Sequence, residues 1–261
     1  MSEVEGVAVE GRQLKRVRGS TRVRSAVLWE VLRGVLVRIA PGGGPSAVVD
    51  VGGGTGGFAV PLAELGHRVT VVDASPDALA ALERRAAEAG VRVRAVQGDA
   101  ADLPDLLGPG AADLVLCHSV LEYVDDPAAA MAALAQAVRP GGAVSLLTSG
   151  KIAAVLHRAI AGHFDDAARL LADPAGRWGE GDRMPRRFTR ESLSELAAGA
   201  GLRVAELHGV RIFADLVPGG TLDADAASAD ALIALESAAA GHPVLRDLAT
   251  QLHLVADKPG P

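Results

Sequence analysis

Apolar and polar positions along the chain fall into two rhythms. Ala26, Val27, Leu28, Val31, Leu32, Val35 and Leu36 recur at i, i+3, i+4 spacing, which predicts an amphipathic helix. Pro41-Gly42-Gly43-Gly44-Pro45 breaks the chain sharply after it. From Ser46 onward short β-branched runs alternate with helical stretches. Ala47–Val51, Arg68–Val72, Val91–Val96, Asp113–Cys117 and Ala143–Thr148 are predicted strands. Phe58–Leu65, Pro76–Ala89 and Pro127–Val138 are predicted helices, closed by Gly66, Gly90 and Pro140-Gly141-Gly142. Parallel neighbours need crossover connections of a dozen residues or more, so this alternation predicts a parallel sheet with helices on both faces.

The last third continues the same domain. Lys151–Ala172 reads as helical, Asp173–Phe188 as a loop rich in glycine and arginine, and Thr189 as the cap of a helix running to Gly199. Val204–Ala214 and Gln251–Asp257 are two late strands with an alanine-rich helix between them. The expected fold is α/β: a Rossmann-like, doubly wound sheet of seven mostly parallel strands with an N-terminal helical cap. Residues 1–45 are expected to form a basic arm and the cap helix. Residues 46–261 are expected to form the Rossmann-like domain, with 151–202 a helical elaboration near the substrate side.

Composition narrows the classes of function. At 49% hydrophobic, the 261 residues can bury a sizeable core. A net charge of -6 argues against a protein that coats nucleic acid, although Arg12, Lys15, Arg16, Arg18 and Arg22 form a local basic cluster that could grip a phosphate backbone. Cys117 stands alone, so no internal disulfide forms. The histidines are scattered without ligand spacing, and no metal is expected. No uncharged apolar run approaches the roughly 20 residues that span a bilayer. The N-terminus lacks the pattern of a secretory signal, so a cytoplasmic location is expected.

The chemistry concentrates at strand ends. Asp50-Val51-Gly52-Gly53-Gly54-Thr55-Gly56-Gly57 lies where the first strand turns into the first helix, at the carboxyl edge of the sheet. Gly52-x-Gly54-x-x-Gly57 also fits the dinucleotide fingerprint. Asp50 separates the two readings, because its charge would repel a pyrophosphate and attract the ammonium of S-adenosylmethionine. Asp73 closes strand two, where an acid accepts hydrogen bonds from ribose hydroxyls. Ser75 is better placed than Asp73 to cap the next helix. Asp99, after strand three, is placed to accept from an adenine amine.

The series Val49–Gly54, Val71-Val72-Asp73, Gln97-Gly98-Asp99 and Val138–Gly142 resembles the class I methyltransferases. Val23–Glu30, His118–Val124, Gly162–Asp165, Gly209–Asp215, Ala231–Glu236 and His253–Pro259 extend the likeness to the bacterial tRNA 5-carboxymethoxyuridine methyltransferase family. The resemblance implies S-adenosylmethionine as cofactor, with contacts at Arg24, Gly52, Gly53, Asp73, Ala100, Ala101 and His118, to which Asp50, Gly54 and Asp99 are added from their positions. It further implies esterification of the carboxylate of a modified wobble uridine in tRNA. A carboxylate is already nucleophilic at neutral pH, so cationic orienting groups are expected in place of a strong base. Arg186 and Arg211, then Arg183 and Arg187, are the candidates. The chain departs from the family at Thr55-Gly56-Gly57, where the family has an acidic and then an amide residue. Two other readings stay open: a methyltransferase for a small metabolite, with the basic arm as a lid, and a non-catalytic Rossmann-like binding protein.

Overall fold

A computed structural model describes residues 25–217 and 226–260. The basic cluster of the arm and Arg24 lie outside the described residues. Seven strands form one sheet: β1 (Ala47–Val51), β2 (Arg68–Asp73), β3 (Val93–Gln97), β4 (Ala112–His118), β5 (Val138–Ser149), β6 (Arg203–Val210) and β7 (Gln251–Asp257). Their spatial order is β3-β2-β1-β4-β5-β7-β6. All pairings from β3 across to β5 are parallel, and β7 runs antiparallel to both β5 and β6. The chain leaves β1 toward β2 and β3, then returns to lay β4 on the other side of β1. That reversal opens a crevice above the carboxyl ends of β1 and β4, where ligands bind in sheets of this kind.

Helix α1 (residues 25–39) covers one face together with α2 (Ala59–Glu64) and α3 (Pro76–Glu88). Val27, Leu28, Leu32, Val35, Leu36 and Ile39 of α1 share a core with Val48, Val71, Leu114, Leu116 and Val255 of the sheet. Each such side chain contributes about 1.5–3 kcal/mol when fully buried. Arg38 fastens the end of α1 to Asp257 at 2.7 Å, and Arg139 donates to the Ile39 carbonyl. The opposite face packs under α4 (Leu103–Leu107), α5 (Pro127–Ala137) and α8 (Arg190–Gly199). Thr189 caps α8 by accepting the Ser192 N–H, as expected.

Four details differ from the sequence reading. Residues 151–172 form two helices, α6 (Lys151–Ile160) and α7 (Phe164–Ala172), because Gly162 turns the chain with φ +80°. Strand β6 stops at Val210, since Arg211 takes φ +63° and the N–H groups of Ile212, Phe213 and Ala214 all donate to the buried carboxylate of Glu236. Strand β5 begins at Val138, before the Pro140-Gly141-Gly142 turn, through an irregular register against β4. A 3-10 turn at Ala100–Asp102 and the short α4 went unread because five-residue elements carry no periodicity. The alanine-rich helix is α9 (Ala226–Ala240).

Candidate active site

Strand β1, between β2 and β4, carries Asp50 into the sheet on the face covered by α1. Its side chain is 2% exposed, and Oδ2 has no hydrogen-bond partner among the described residues. Burial, and then the neighbouring Asp73 charge, push its carboxyl up to about 7. A buried acid without a partner costs stability, and at a ligand crevice such an acid can meet a positive group.

The chain folds back over this acid. Gly52 adopts φ +67° and donates its N–H to the Val72 carbonyl at 2.7 Å. A Cβ at Gly53 would stand 2.7 Å from the Asp50 carboxyl and 3.1 Å from Val71, so only glycine fits. Gly54 N–H donates to Asp73 Oδ2 at 2.8 Å, and Ser75 N–H to Asp73 Oδ1 at 2.9 Å. Asp73 therefore ties the glycine loop to the end of β2. An ionised carboxylate accepts about four hydrogen bonds, which leaves two for a ligand. Ser75 caps α3 by accepting the Ala78 N–H, which frees Asp73 from that task.

Asp99 is exposed after β3; its backbone N–H donates to Asp102 Oδ2 at 3.1 Å. Ala100 is buried and Ala101 exposed in the turn that follows. Three acids thus stand at three adjacent strand ends, one buried, one half-buried and one exposed. A cationic tail can meet the first, a diol the second and a base edge the third.

His118 ends β4. Its Nε2 lies 2.9 Å from Ser145 Oγ, its Nδ1 has no partner among the described residues, and burial lowers its pKa to about 3. The next residue, Ser119, takes φ +57°, uncommon for a non-glycine. Arg211 follows β6 at the same edge and pairs with Asp215 at 2.6 Å. Arg186 spends its guanidinium on the carbonyls of Leu121, Val124 and Asp125. That makes it a staple for the 121–125 loop. Arg187 is held by Asp182 at 2.7 Å, and Arg183 is exposed.

Sequence reasoning missed the aromatic wall. Phe58, directly after the glycine loop, meets His118 edge-on at 5.0 Å between centroids, and Trp29 of α1 lies 5.1 Å from Phe58. The chain holds only seven aromatic residues, four Phe, two Trp and one Tyr, so two at one crevice was an available signal. Buried Glu122 was missed as well; it accepts the Ser149 N–H at 2.7 Å and joins the loops after β4 and β5. Among the described residues no group of three or more His, Cys, Asp or Glu could hold a metal ion, and no helix is long and apolar enough to cross a membrane.

Comparison with known proteins agrees with this geometry. Residues 49–146 match the methyltransferase domain family. The chain is 30% identical to the tRNA 5-carboxymethoxyuridine methyltransferase of Escherichia coli O157:H7, over 94% of this chain and 92% of that one. It is 34% identical to a ubiquinone biosynthesis O-methyltransferase of Xanthomonas campestris pv. campestris (strain B100), over 67% of this chain and 66% of that one. The solved magnesium protoporphyrin IX methyltransferase of Synechocystis PCC 6803, with bound SAH, shares the fold with TM-score 0.57 and 18% identity, covering 93% of this chain and 85% of that one.

Proposed function

The chain belongs to the S-adenosylmethionine-dependent methyltransferases, in the family that includes the tRNA 5-carboxymethoxyuridine methyltransferase of E. coli, and on that premise we propose that it esterifies the carboxylate of a modified wobble uridine in tRNA. When bound, the cofactor supplies a methyl group on a positively charged sulfur, which an acceptor oxygen takes by in-line displacement. The residues present fit that cofactor. Asp50 faces the methionyl ammonium, and its unpartnered, buried Oδ2 is the observation that carries this assignment. The Gly53 N–H faces the carboxylate tail, since those of Gly52 and Gly54 are already given to Val72 and Asp73, while Asp73 accepts from the ribose and Asp99 with Ala100 and Ala101 borders the adenine. Arg24, outside the described residues, is assigned to the same tail. Helix α1 forms the flank over the crevice, with Trp29 against Phe58 as its contact.

The chemistry of the groups described at the β4 edge supports a carboxylate acceptor. A hydroxyl acceptor must lose a proton, and burial lowers the pKa of His118, at the end of β4, to about 3. A carboxylate needs no base. It brings a negative charge that the methyl transfer cancels, and a pocket with little water favours that cancellation. Arg211, at the rim of the same edge, is neutralised by Asp215, so it is not assigned to the acceptor's anionic groups. Arg186 enters as the residue that holds the loop beside it. Cytoplasm, where tRNA resides, is the expected location.

A small-molecule O-methyltransferase is the second reading, supported by the likeness to the ubiquinone biosynthesis enzyme. Mass spectrometry of tRNA nucleosides from cells with and without the gene separates the two. Loss of a methyl-ester nucleoside is the expected result; unchanged tRNA, with methyl incorporation into a metabolite extract, selects the second.

A further inference from the structure

A row of polar side chains crosses the face of the sheet that α1 covers, and the cofactor site alone does not account for it. Side chains two residues apart on a strand share a face. Asp50 therefore shares its face with Val48, and His118 with Leu116. Ser145 shares its face with Leu147, His253 with Val255, and His208 with Val210. All of these apolar partners belong to the core beneath α1. Ser145 and His253 are both 0% exposed. Ser145 Oγ lies 2.9 Å from His118 Nε2 and 2.8 Å from His253 Nε2. His253 in turn stacks on His208, centroids 5.9 Å apart and planes 26° apart. Apolar residues would fill this volume without the cost of burying three polar groups.

A hydroxyl has one hydrogen. Ser145 can donate to one histidine only, and must accept from the other. The two rings are therefore locked in opposite tautomers. Burial keeps both neutral at ordinary pH, so the choice of tautomer is the chemical variable that remains. The orphan nitrogens decide the direction. His253 Nδ1 is buried without a partner, inside the protein and against another ring. A bare lone pair there is tolerable, whereas a stranded N–H is rare in folded proteins. His118 Nδ1 is buried and unpartnered as well, but the His118 residue stands half-buried at the carboxyl edge of β4, beside the crevice, whereas His253 is wholly enclosed. An N–H at that nitrogen has an incoming ligand to meet.

We propose that Ser145 and His253 are positioning residues that fix the tautomer of His118, so that its Nδ1–H is presented to the acceptor carboxylate. The order is His253 Nε2–H to Ser145 Oγ, Ser145 O–H to His118 Nε2, and His118 Nδ1–H outward. One acceptor oxygen takes the methyl group while the other accepts this hydrogen bond, and no proton changes owner. The donor also discriminates. A carboxylate satisfies it, and an acceptor without a second oxygen leaves it unpaired in a dry site. The identity of the acceptor rests on the carboxylate reading above; the tautomer does not.

The test is nitrogen-15 NMR of the imidazole rings in the full chain, with no acceptor added, alongside steady-state kinetics. His118 is expected as a single neutral tautomer protonated at Nδ1, and His253 as its opposite. Ser145→Ala should mix the tautomers of His118 and lower kcat/KM for a carboxylate acceptor about tenfold, with cofactor affinity unchanged. Ser145→Thr, which keeps the hydroxyl, and His253→Gln, which keeps an Nε2 donor, should restore both readouts. A wild-type His118 protonated at Nε2, or one whose tautomer ignores Ser145→Ala, overturns the proposal whatever the acceptor. A confirmed tautomer in a protein that methylates no carboxylate refutes only the assignment of the acceptor.

Discussion

The two halves of the sheet's carboxyl edge are built by different means. On the side of β1, β2 and β3, the site consists of backbone and short acids. Gly53 has no room for a side chain, Gly54 N–H is tied to Asp73, and Asp50 lies buried beneath them. On the side of β4 to β7, it consists of side chains from distant segments. His118, Ser145 and His253 meet across 135 residues of sequence, Phe58 and Trp29 wall them in, and Arg186 and Glu122 hold the adjoining loops. The first half presents fixed donors and acceptors to a ligand common to the whole family. The second is where, on the proposed reading, the acceptor meets the protein. A cofactor site can be rigid and local because its ligand does not vary, whereas selectivity needs groups whose roles are set by their neighbours.

Perturbing the first half should cost cofactor binding; perturbing the second should not. The largest effect is expected from Gly53→Ala, whose Cβ displaces the Asp50 carboxyl. Cofactor affinity should fall about a hundredfold in calorimetry, and an unchanged affinity would show that the loop does not cradle the tail. Asp50→Asn comes next, through pH. Burial raises the folded-state pKa of Asp50 from the ordinary 3.8 to about 7. The folded state therefore holds a proton that the unfolded state has lost, and stability falls as pH rises from about 4 through 7. At pH 8, Asp50→Asn should stabilise the ligand-free protein by an order of 2–4 kcal/mol in denaturant unfolding. In the wild type the cofactor should bind about tenfold more weakly at pH 6 than at pH 8, and in the variant that slope should vanish.

Asp73→Ala removes acceptors for both the ribose and the Gly54 N–H, and should weaken cofactor binding by about 1–3 kcal/mol. Arg186→Ala sharpens the contrast from the other side. Freed of its staple, the 121–125 loop should loosen, with a loss of about 1 kcal/mol in thermal unfolding and lower turnover at unchanged cofactor affinity. Ser75→Ala, which removes only the cap of α3, should cost about 0.5–1 kcal/mol of stability and leave both ligands alone.

The same contrast governs what the sequence discloses. Asp50, the glycine loop, Asp73 and Asp99 were legible because each sits within a few residues of a strand end, and strand ends follow from hydrophobic rhythm and glycine punctuation. All seven strands were legible for that reason, apart from boundaries such as the end of β6, which Glu236 sets from 22 to 24 residues away. Ser145 and His253 were illegible, since a serine and a histidine inside apolar runs carry no local mark of their meeting. Arg186 and Arg211 show the converse. Arginine in a loop reads as a free cation, but the fold commits one to backbone carbonyls and the other to Asp215.

Calorimetric titration near pH 7 tests most directly that an unpartnered buried carboxyl is the receptor for a cationic nucleoside tail. S-adenosylmethionine should bind with release of a proton, seen as heat that varies with the ionisation enthalpy of the buffer, and NADH should give none. Binding of NADH with S-adenosylmethionine ignored, or sulfonium binding with no proton released, would contradict it.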